Sequence, residues 1–77
     1  MYVIKCEWSI DGDYDFEYYV TFSLNETKNI VSKLKAYSPK EFEVVHDSCE
    51  PLGTWYASVD EDSYFTIEVY RSKNEVI

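Results

Sequence analysis

The chain has few of the residues that define common classes of small protein. Its 77 residues include only two glycines, two prolines and two cysteines, and seven basic residues against fifteen acidic ones. No apolar run approaches the ~20 residues of a membrane-spanning helix. Lys5 and Glu7 place charges within the first seven residues, so we expect no signal peptide and a cytoplasmic location. Cys6 and Cys49 are too few for a disulfide scaffold, and we expect free thiols.

What the chain does contain is aromatic and acidic side chains. Eight tyrosines, four phenylalanines and two tryptophans make it 18% aromatic, and its formal net charge is −8. This composition is too aromatic for a disordered acidic segment, and the chain is too short for two domains. We therefore expect one globular domain over residues 1–77, with a frayed tail from about residue 72. Aromatic rings would supply much of the core volume.

Alternating apolar and polar residues predict five strands. In the first, Ile4, Cys6 and Trp8 alternate with Lys5 and Glu7, a period of two that is typical of a half-buried strand. Asp-Gly between the first two strands is a strong signal for a hairpin. Residues 47–53 hold a proline and a glycine and are predicted to be a loop. The predicted strands are 2–10, 16–22, 41–46, 55–59 and 64–70.

Between the second and third strands the apolar period changes to that of a helix. Ser23 and Glu26 have the spacing of a capping box, with Asn25 as the competing N-cap, and Pro39 ends the helical pattern. The sequence thus predicts a helix over residues 24–37 and the order β-β-α-β-β-β. One helix covers only one face of a five-stranded antiparallel sheet, so the predicted fold is a two-layer α+β fold. The apolar helix face comprises Ile30, Val31, Leu34 and Tyr37.

These periodicities divide the side chains between a core and an exposed sheet face. Tyrosine is enriched both at protein interfaces and in strands, so a docking surface and ordinary cross-strand pairing both remain open. The predicted core comprises Trp8, Phe16, Tyr18, Val20, Phe22, Ile30, Leu34, Phe42, Val44, Trp55, Phe65, Ile67 and Val69. The predicted exposed face comprises Tyr19, Tyr56, Tyr64 and Tyr70, with Glu7, Glu17, Thr21, Glu43, Thr66 and Glu68.

Acidic residues gather at two predicted turns, whereas basic residues gather near the helix. Residues 25–40 carry four lysines against one glutamate, a net +3, so the remainder carries −11. Nucleic-acid binding needs a basic footprint, so we expect no direct nucleic-acid contact. The acidity either serves solubility or attracts a partner protein with a basic surface. The two acidic clusters, each with a tyrosine, are Asp11, Asp13, Tyr14 and Asp15, and Asp60, Glu61, Asp62 and Tyr64.

No pattern in the sequence indicates catalysis or metal binding. Residues 11–15 begin like a calcium loop, but Phe16 and Phe22 stand where that loop needs glycine and glutamate. His46 and Cys49 fall short of the four ligands of a structural zinc site. Nor does the sequence supply a third group that would orient them as a base and a nucleophile. We expect His46 to be half-buried on the apolar side of its strand, and we expect no enzyme activity, cofactor or metal.

The overall profile is small, acidic, tyrosine-rich and free of motifs. It resembles that of stoichiometric inhibitors made by phages and mobile elements, including anti-CRISPR proteins and DNA mimics, although no motif places the chain in a family. The resemblance implies a viral anti-defence inhibitor that occludes a basic surface of a host nucleic-acid-handling protein, without contacting a membrane. A homodimeric interaction module and a toxin-immunity protein are the alternatives. The candidate contact residues are Asp11, Asp13, Tyr14, Asp15, Tyr19, Tyr56, Asp60, Glu61, Asp62, Tyr64 and Tyr70.

Overall fold

The computed structural model describes residues 1–72, and residues 73–77, which form most of the predicted frayed tail, lie outside the described residues. Within the described residues, five strands form one antiparallel sheet and a single helix packs on it, which confirms the predicted α+β fold. The elements are β1 (Tyr2–Ile10), β2 (Asp13–Thr21), α1 (Leu24–Tyr37), β3 (Glu43–Asp47), β4 (Gly53–Asp60) and β5 (Ser63–Arg71).

The order of strands across the sheet is β2-β1-β5-β4-β3, so β2 and β3 form its two edges. Every neighbouring pair is antiparallel. The final strand therefore lies between the first and the fourth, where it joins the β1–β2 hairpin to the β3–β4 pair. This long-range pairing makes a single sheet of what would otherwise be two hairpins.

The helix begins and ends at the predicted residues. The Ser23 hydroxyl accepts the Glu26 amide at 3.0 Å, so Ser23 is the N-cap. Hydroxyl contacts also join the end of β2 to the first helical turn. The Thr21 and Thr27 hydroxyl oxygens lie 2.5 Å apart, and Thr27 donates to the Ser23 carbonyl at 2.9 Å. Both threonines are buried, and these bonds satisfy their hydroxyls.

The hydrophobic core lies between the helix and the central strands. Phe65 is its aromatic centre, since its ring stacks on Trp8 and meets Trp55 edge-on, both at 6.2 Å between centroids. Full burial of a side chain such as Ile67 contributes about 1.5–3 kcal/mol. The core residues are Ile4, Cys6, Val31, Leu34, Cys49, Trp55, Ala57, Phe65, Ile67 and Val69, with Trp8, Tyr19, Ile30 and Phe42 partly buried against them.

The faces of β2 are the reverse of those predicted. Phe16, Tyr18 and Val20 were expected in the core, but they are 46%, 51% and 54% exposed. The cause is the register of the hairpin: even-numbered residues of β1 pair with odd-numbered residues of β2 and share their face. The prediction that Glu17, Tyr19 and Thr21 face away from the helix is therefore wrong. These three side chains lie on the helix side.

Three further residues expected on the apolar side are exposed. Val44 is 56% exposed because β3 is an edge strand, whereas α1 packs on β1, β2 and β5. His46, also on β3, is exposed and shares its face with Tyr56, away from the helix. Phe22 is 82% exposed because it lies in the connection between β2 and the helix N-cap.

The β3–β4 connection folds tightly around Gly53. Ser48 donates its amide to the Thr54 carbonyl at 2.8 Å, and the Cys49 thiol donates to the Pro51 carbonyl at 2.7 Å. The φ angle of Gly53 is +128°, which other residues rarely adopt. A Cβ atom at Gly53 would overlap the Ser48 carbonyl. This position therefore requires glycine for two separate reasons.

We expect Gly53→Ala to lower the free energy of unfolding by about 3 kcal/mol, because backbone strain and steric overlap add. Gly12→Ala is the matched control: Gly12 also has a positive φ, +89°, but a Cβ there meets nothing within 4 Å. The control should lose only about 1 kcal/mol. Urea unfolding of both variants measures the difference. Equal losses would show that the overlap at Gly53 relaxes without cost.

Candidate functional site: the acidic end and the open face

The two acidic turns lie side by side at one end of the sheet. In the β1–β2 turn, the Gly12 amide donates a hydrogen bond to the Asp62 carbonyl at 3.2 Å. Ser9 donates its hydroxyl to the same carbonyl at 2.9 Å, and the Asp11 amide donates to the Ser63 hydroxyl at 3.1 Å. Ser9 and Ser63 are both buried. Backbone and serine groups thus connect the two turns without using any carboxylate.

Each turn has a local cause. Asp11 and Gly12 have φ angles of +53° and +89°, as a two-residue type I′ hairpin requires, so the predicted Asp-Gly hairpin is confirmed. At the other turn, Asp60 pairs with Ser63 and its carboxylate accepts the Asp62 amide at 2.9 Å. Aspartate favours such turns because its carboxylate bonds the backbone two residues on.

The six carboxylates of these turns are all exposed, and we call them the acidic end: Asp11, Asp13, Asp15, Asp60, Glu61 and Asp62. The Lys5 ammonium lies 3.1 Å from the Glu7 carboxylate, and the Lys35 ammonium lies 3.8 Å from the Asp47 carboxylate. Neither lysine neutralises the acidic end. Lys35 is one of four lysines that lie in or just after α1, with Lys28, Lys33 and Lys40, so the charge of the molecule is strongly asymmetric.

The sheet face away from the helix, which we call the open face, carries six aromatic side chains. On β2 the Phe16 centroid lies 6.1 Å from Tyr14 and 5.6 Å from Tyr18. On the other half of the sheet, Tyr56 and Tyr64 stack at 6.1 Å. The strand registers place these five side chains, together with Tyr70 of β5, on the face opposite α1.

On the open face, the partly buried Glu7 carboxylate contacts side chains of both β1 and β2. Tyr14 donates its hydroxyl to Glu7 at 2.7 Å, and Lys5 approaches the same carboxylate at 3.1 Å. The Tyr14 hydrogen bond, followed by the neighbouring Lys5 charge, lowers the pKa of Glu7. The Lys5 ammonium also lies 5.9 Å from the Tyr18 ring centroid. This network links the aromatic row of β2 to the middle of the sheet.

The structure brings the two acidic clusters together, with Tyr14 and Tyr64 on the open face beside them. Tyr56 and Tyr70 lie on the same face, but Tyr70 pairs with Val3 at the other end of the sheet. Tyr19 does not lie on the open face, because it points to the helix side. The aromatic pair that the sequence reasoning missed is Phe16 and Tyr18. The sequence did contain this information, because a two-residue turn at Asp11 and Gly12 pairs even-numbered residues of β1 with odd-numbered residues of β2. That register places Phe16 and Tyr18 on the open face.

Tyr19 instead lines a cleft of about 500 Å³ between the helix and the β1–β2 hairpin. Its hydroxyl donates to the Glu17 carboxylate, and this hydrogen bond raises the pKa of Tyr19 to about 12. Trp8 and Phe65 form an aromatic wall of the cleft, and Tyr37 closes one side. The cleft therefore combines apolar walls with the carboxylate of Glu17.

The two thiols are buried, and the histidine is exposed and bonded to a neighbouring hydroxyl. Burial raises the pKa of Cys6 to about 12 and also raises that of Cys49, so both thiols are poor nucleophiles. His46 bonds the Ser48 hydroxyl at 3.1 Å. Within residues 1–72, no three His, Cys, Asp or Glu side chains converge as a metal ion would require. In the same range, no helix has the length and apolarity needed to cross a bilayer.

Comparisons with protein-family models, curated proteins and solved structures find no match to this chain.

We expect Tyr19 to ionise well after ordinary tyrosines, because its hydrogen bond to Glu17 raises its pKa to about 12. The hydrogen bond to Glu7 also raises the pKa of Tyr14, so the titration is made in a Tyr14→Phe background. Relative to an unfolded pKa of about 10, the bond from Tyr19 to Glu17 stabilises the fold fully below pH ~10 and is lost as the pH rises toward 12. Absorbance at 295 nm measures the titration. Glu17→Gln should move the late step toward 10, and Tyr19→Phe should remove it. A late step that persists in Tyr19→Phe would contradict this assignment.

Proposed function

We propose that the protein is a non-catalytic binding protein that blocks a basic surface of a partner protein through its acidic end. The observation that carries this proposal is the junction between the two turns, in which Gly12 and Ser9 both donate to the Asp62 carbonyl. The junction holds six exposed carboxylates at one end of the sheet. A scattered acidic surface that serves solubility would not need this arrangement.

The finer proposal is that the partner handles nucleic acid, as a CRISPR effector or another defence nuclease does. Such proteins have basic channels that bind phosphates, and a concentrated set of carboxylates offers the same sign of charge. In this proposal the protein acts as a phage-type, DNA-mimic-like inhibitor in the host cytoplasm. It occludes the channel stoichiometrically and uses no cofactor or metal.

Charge and aromatic contacts contribute differently to such binding. Opposite charges accelerate the encounter, and this contribution weakens as salt screens it. Tyr14 and Tyr64, on the open face beside the acidic end, supply contacts that can exclude water. Aromatic contacts of this kind chiefly lengthen the lifetime of a complex. The proposal therefore assigns the rate of association to the carboxylates and the rate of dissociation to the tyrosines.

The identifying experiment is affinity capture from a nuclease-treated bacterial lysate, washed at low and at high salt. The proposal expects a stoichiometric, basic, nucleic-acid-binding protein that is retained at low salt. The purified captured protein should then release its bound nucleic acid when this protein is added. Capture of a protein that keeps its nucleic acid bound would contradict the occlusion mechanism.

We expect Asp13→Lys combined with Glu61→Lys to slow association with the captured protein at least tenfold at low salt, with a smaller effect at high salt. The carboxylates of Asp13 and Glu61 take no part in the bonds that form the two turns, so the fold should persist. Surface plasmon resonance measures the rates.

The matched control is Glu26→Lys combined with Glu50→Lys, which makes the same change in net charge at the opposite end of the sheet. Both glutamates are exposed, in the first turn of α1 and in the β3–β4 loop. Circular dichroism on heating checks that each double variant is folded. Equal slowing by both pairs would show that net charge alone, and not the acidic end, governs association.

A second candidate function is self-association through the open face. The observation that favours it is the exposed aromatic row of Tyr14, Phe16 and Tyr18, which are each about half exposed. Light scattering over a concentration series separates the two functions. A dimer that Phe16→Ser with Tyr18→Ser dissociates would support self-association, whereas a monomer at high micromolar concentration would exclude it.

A further inference from the structure

Strand β2 has an unpaired outer edge along its nine residues. Within the described sheet its neighbour is β1 alone. The Phe16 amide does not bond to β1, because it donates instead to the Asp15 carboxylate at 2.8 Å. Backbone bonding directions alternate along an antiparallel strand, so the amides of Tyr14, Tyr18 and Val20 share this outward direction. These groups are available to a further strand.

Over residues 13–18, one face of β2 is acidic and the other is aromatic. Asp13, Asp15 and Glu17 are successive side chains on the helix side, and all three are exposed. On the open face the successive side chains are Tyr14, Phe16 and Tyr18, which touch one another in sequence. A strand laid beside β2 therefore meets carboxylates at every second residue and aromatic rings at the residues between.

A second copy of the chain does not fit this edge through its own β2. In an antiparallel pairing of two β2 strands, equal faces of the sheet lie on the same side. With Phe16 opposite its own copy, Asp15 faces the Glu17 of the other copy. With Asp15 opposite its own copy, Asp13 faces Glu17. Like charges directly opposite one another destabilise a strand pair, so the acidic row disfavours pairing of the edge with itself.

We infer that β2 accepts an extended basic segment of the partner protein as a sixth strand, in which Lys or Arg alternates with apolar residues. The basic side chains meet the row Asp13, Asp15 and Glu17, and the apolar side chains pack on the aromatic row. Backbone hydrogen bonds supply affinity, and alternation supplies specificity. On binding, Asp15 releases the Phe16 amide to a partner carbonyl and turns its carboxylate to a basic side chain. This inference rests on the proposed function and adds the local structure of the partner segment.

Two synthetic heptapeptides of identical composition test the inference. One alternates, Lys-Val-Lys-Val-Lys-Val-Lys, and the other is blocked, Lys-Lys-Lys-Lys-Val-Val-Val, both with capped termini. Seven residues span about 23 Å, most of the length of β2. The readouts are affinity at low salt and amide hydrogen exchange of the folded protein measured by NMR. We expect the alternating peptide to bind at least tenfold more tightly than the blocked one. We also expect it to slow exchange at Tyr14, Phe16 and Tyr18 at least tenfold.

A backbone change isolates the hydrogen bonds from the side chains. The 77-residue chain is accessible to chemical synthesis, so the Tyr18 amide can be N-methylated while its ring is kept. Because this amide points away from β1, the β1–β2 pairing keeps its bonds, and circular dichroism checks the fold. We expect the methylated protein to lose at least tenfold affinity for the alternating peptide and to bind the blocked peptide as before.

The outcomes separate this inference from the proposed function. If both peptides bind equally and β2 amides stay unprotected, strand addition is overturned while attraction to a basic partner stands. Protection at β3 instead of β2 overturns the choice of edge. If neither peptide binds at low salt, strand addition is overturned and the attraction of the acidic surface for basic segments fails with it.

Discussion

The two-residue turn at Asp11 and Gly12 decides which face of the sheet each side chain of β2 occupies. A type I′ turn pairs Ile10 with Asp13, and every later pair of the hairpin follows from that register. One more residue in the turn would exchange the faces of β2 and carry Phe16 and Tyr18 to the helix side. The aromatic row of the open face and the acidic row of the helix side both depend on this turn.

The contact between the two acidic turns has to overcome charge repulsion. Two carboxylates about 4 Å apart in water repel by about 1 kcal/mol, and by less when salt screens them. A hydrogen bond contributes a net ~1 kcal/mol, and three of them connect the turns through Gly12, Ser9 and Asp11. Because the carboxylates stay exposed while backbone and serine groups make the contact, the molecule can concentrate negative charge at one end. That property supports the proposed binding of a basic partner.

A single helix leaves much of the sheet uncovered. The helix covers about 21 Å by 10 Å, whereas five strands of up to nine residues form a sheet about 20 Å across and about 30 Å long, so one helix cannot cover it. It packs on β1, β2 and β5, and β3 keeps every residue exposed. The open face has no second layer at all within residues 1–72. Its aromatic side chains are then accessible to another chain.

Local features of the sequence determined the order of elements, the limits of α1 and the hairpin at Asp11 and Gly12, because periodicity, capping and turn preferences act over a few residues. They also located the two acidic clusters. The faces of β2 could have been derived from the length of the turn, but the apolar pattern Phe16, Tyr18, Val20 favoured the wrong face. Only the tertiary structure decided that β5 lies beside β1, which brings Asp62 to Gly12 and joins the acidic clusters. Strand order depends on contacts between residues about fifty positions apart, and no local pattern specifies which strand edges will meet.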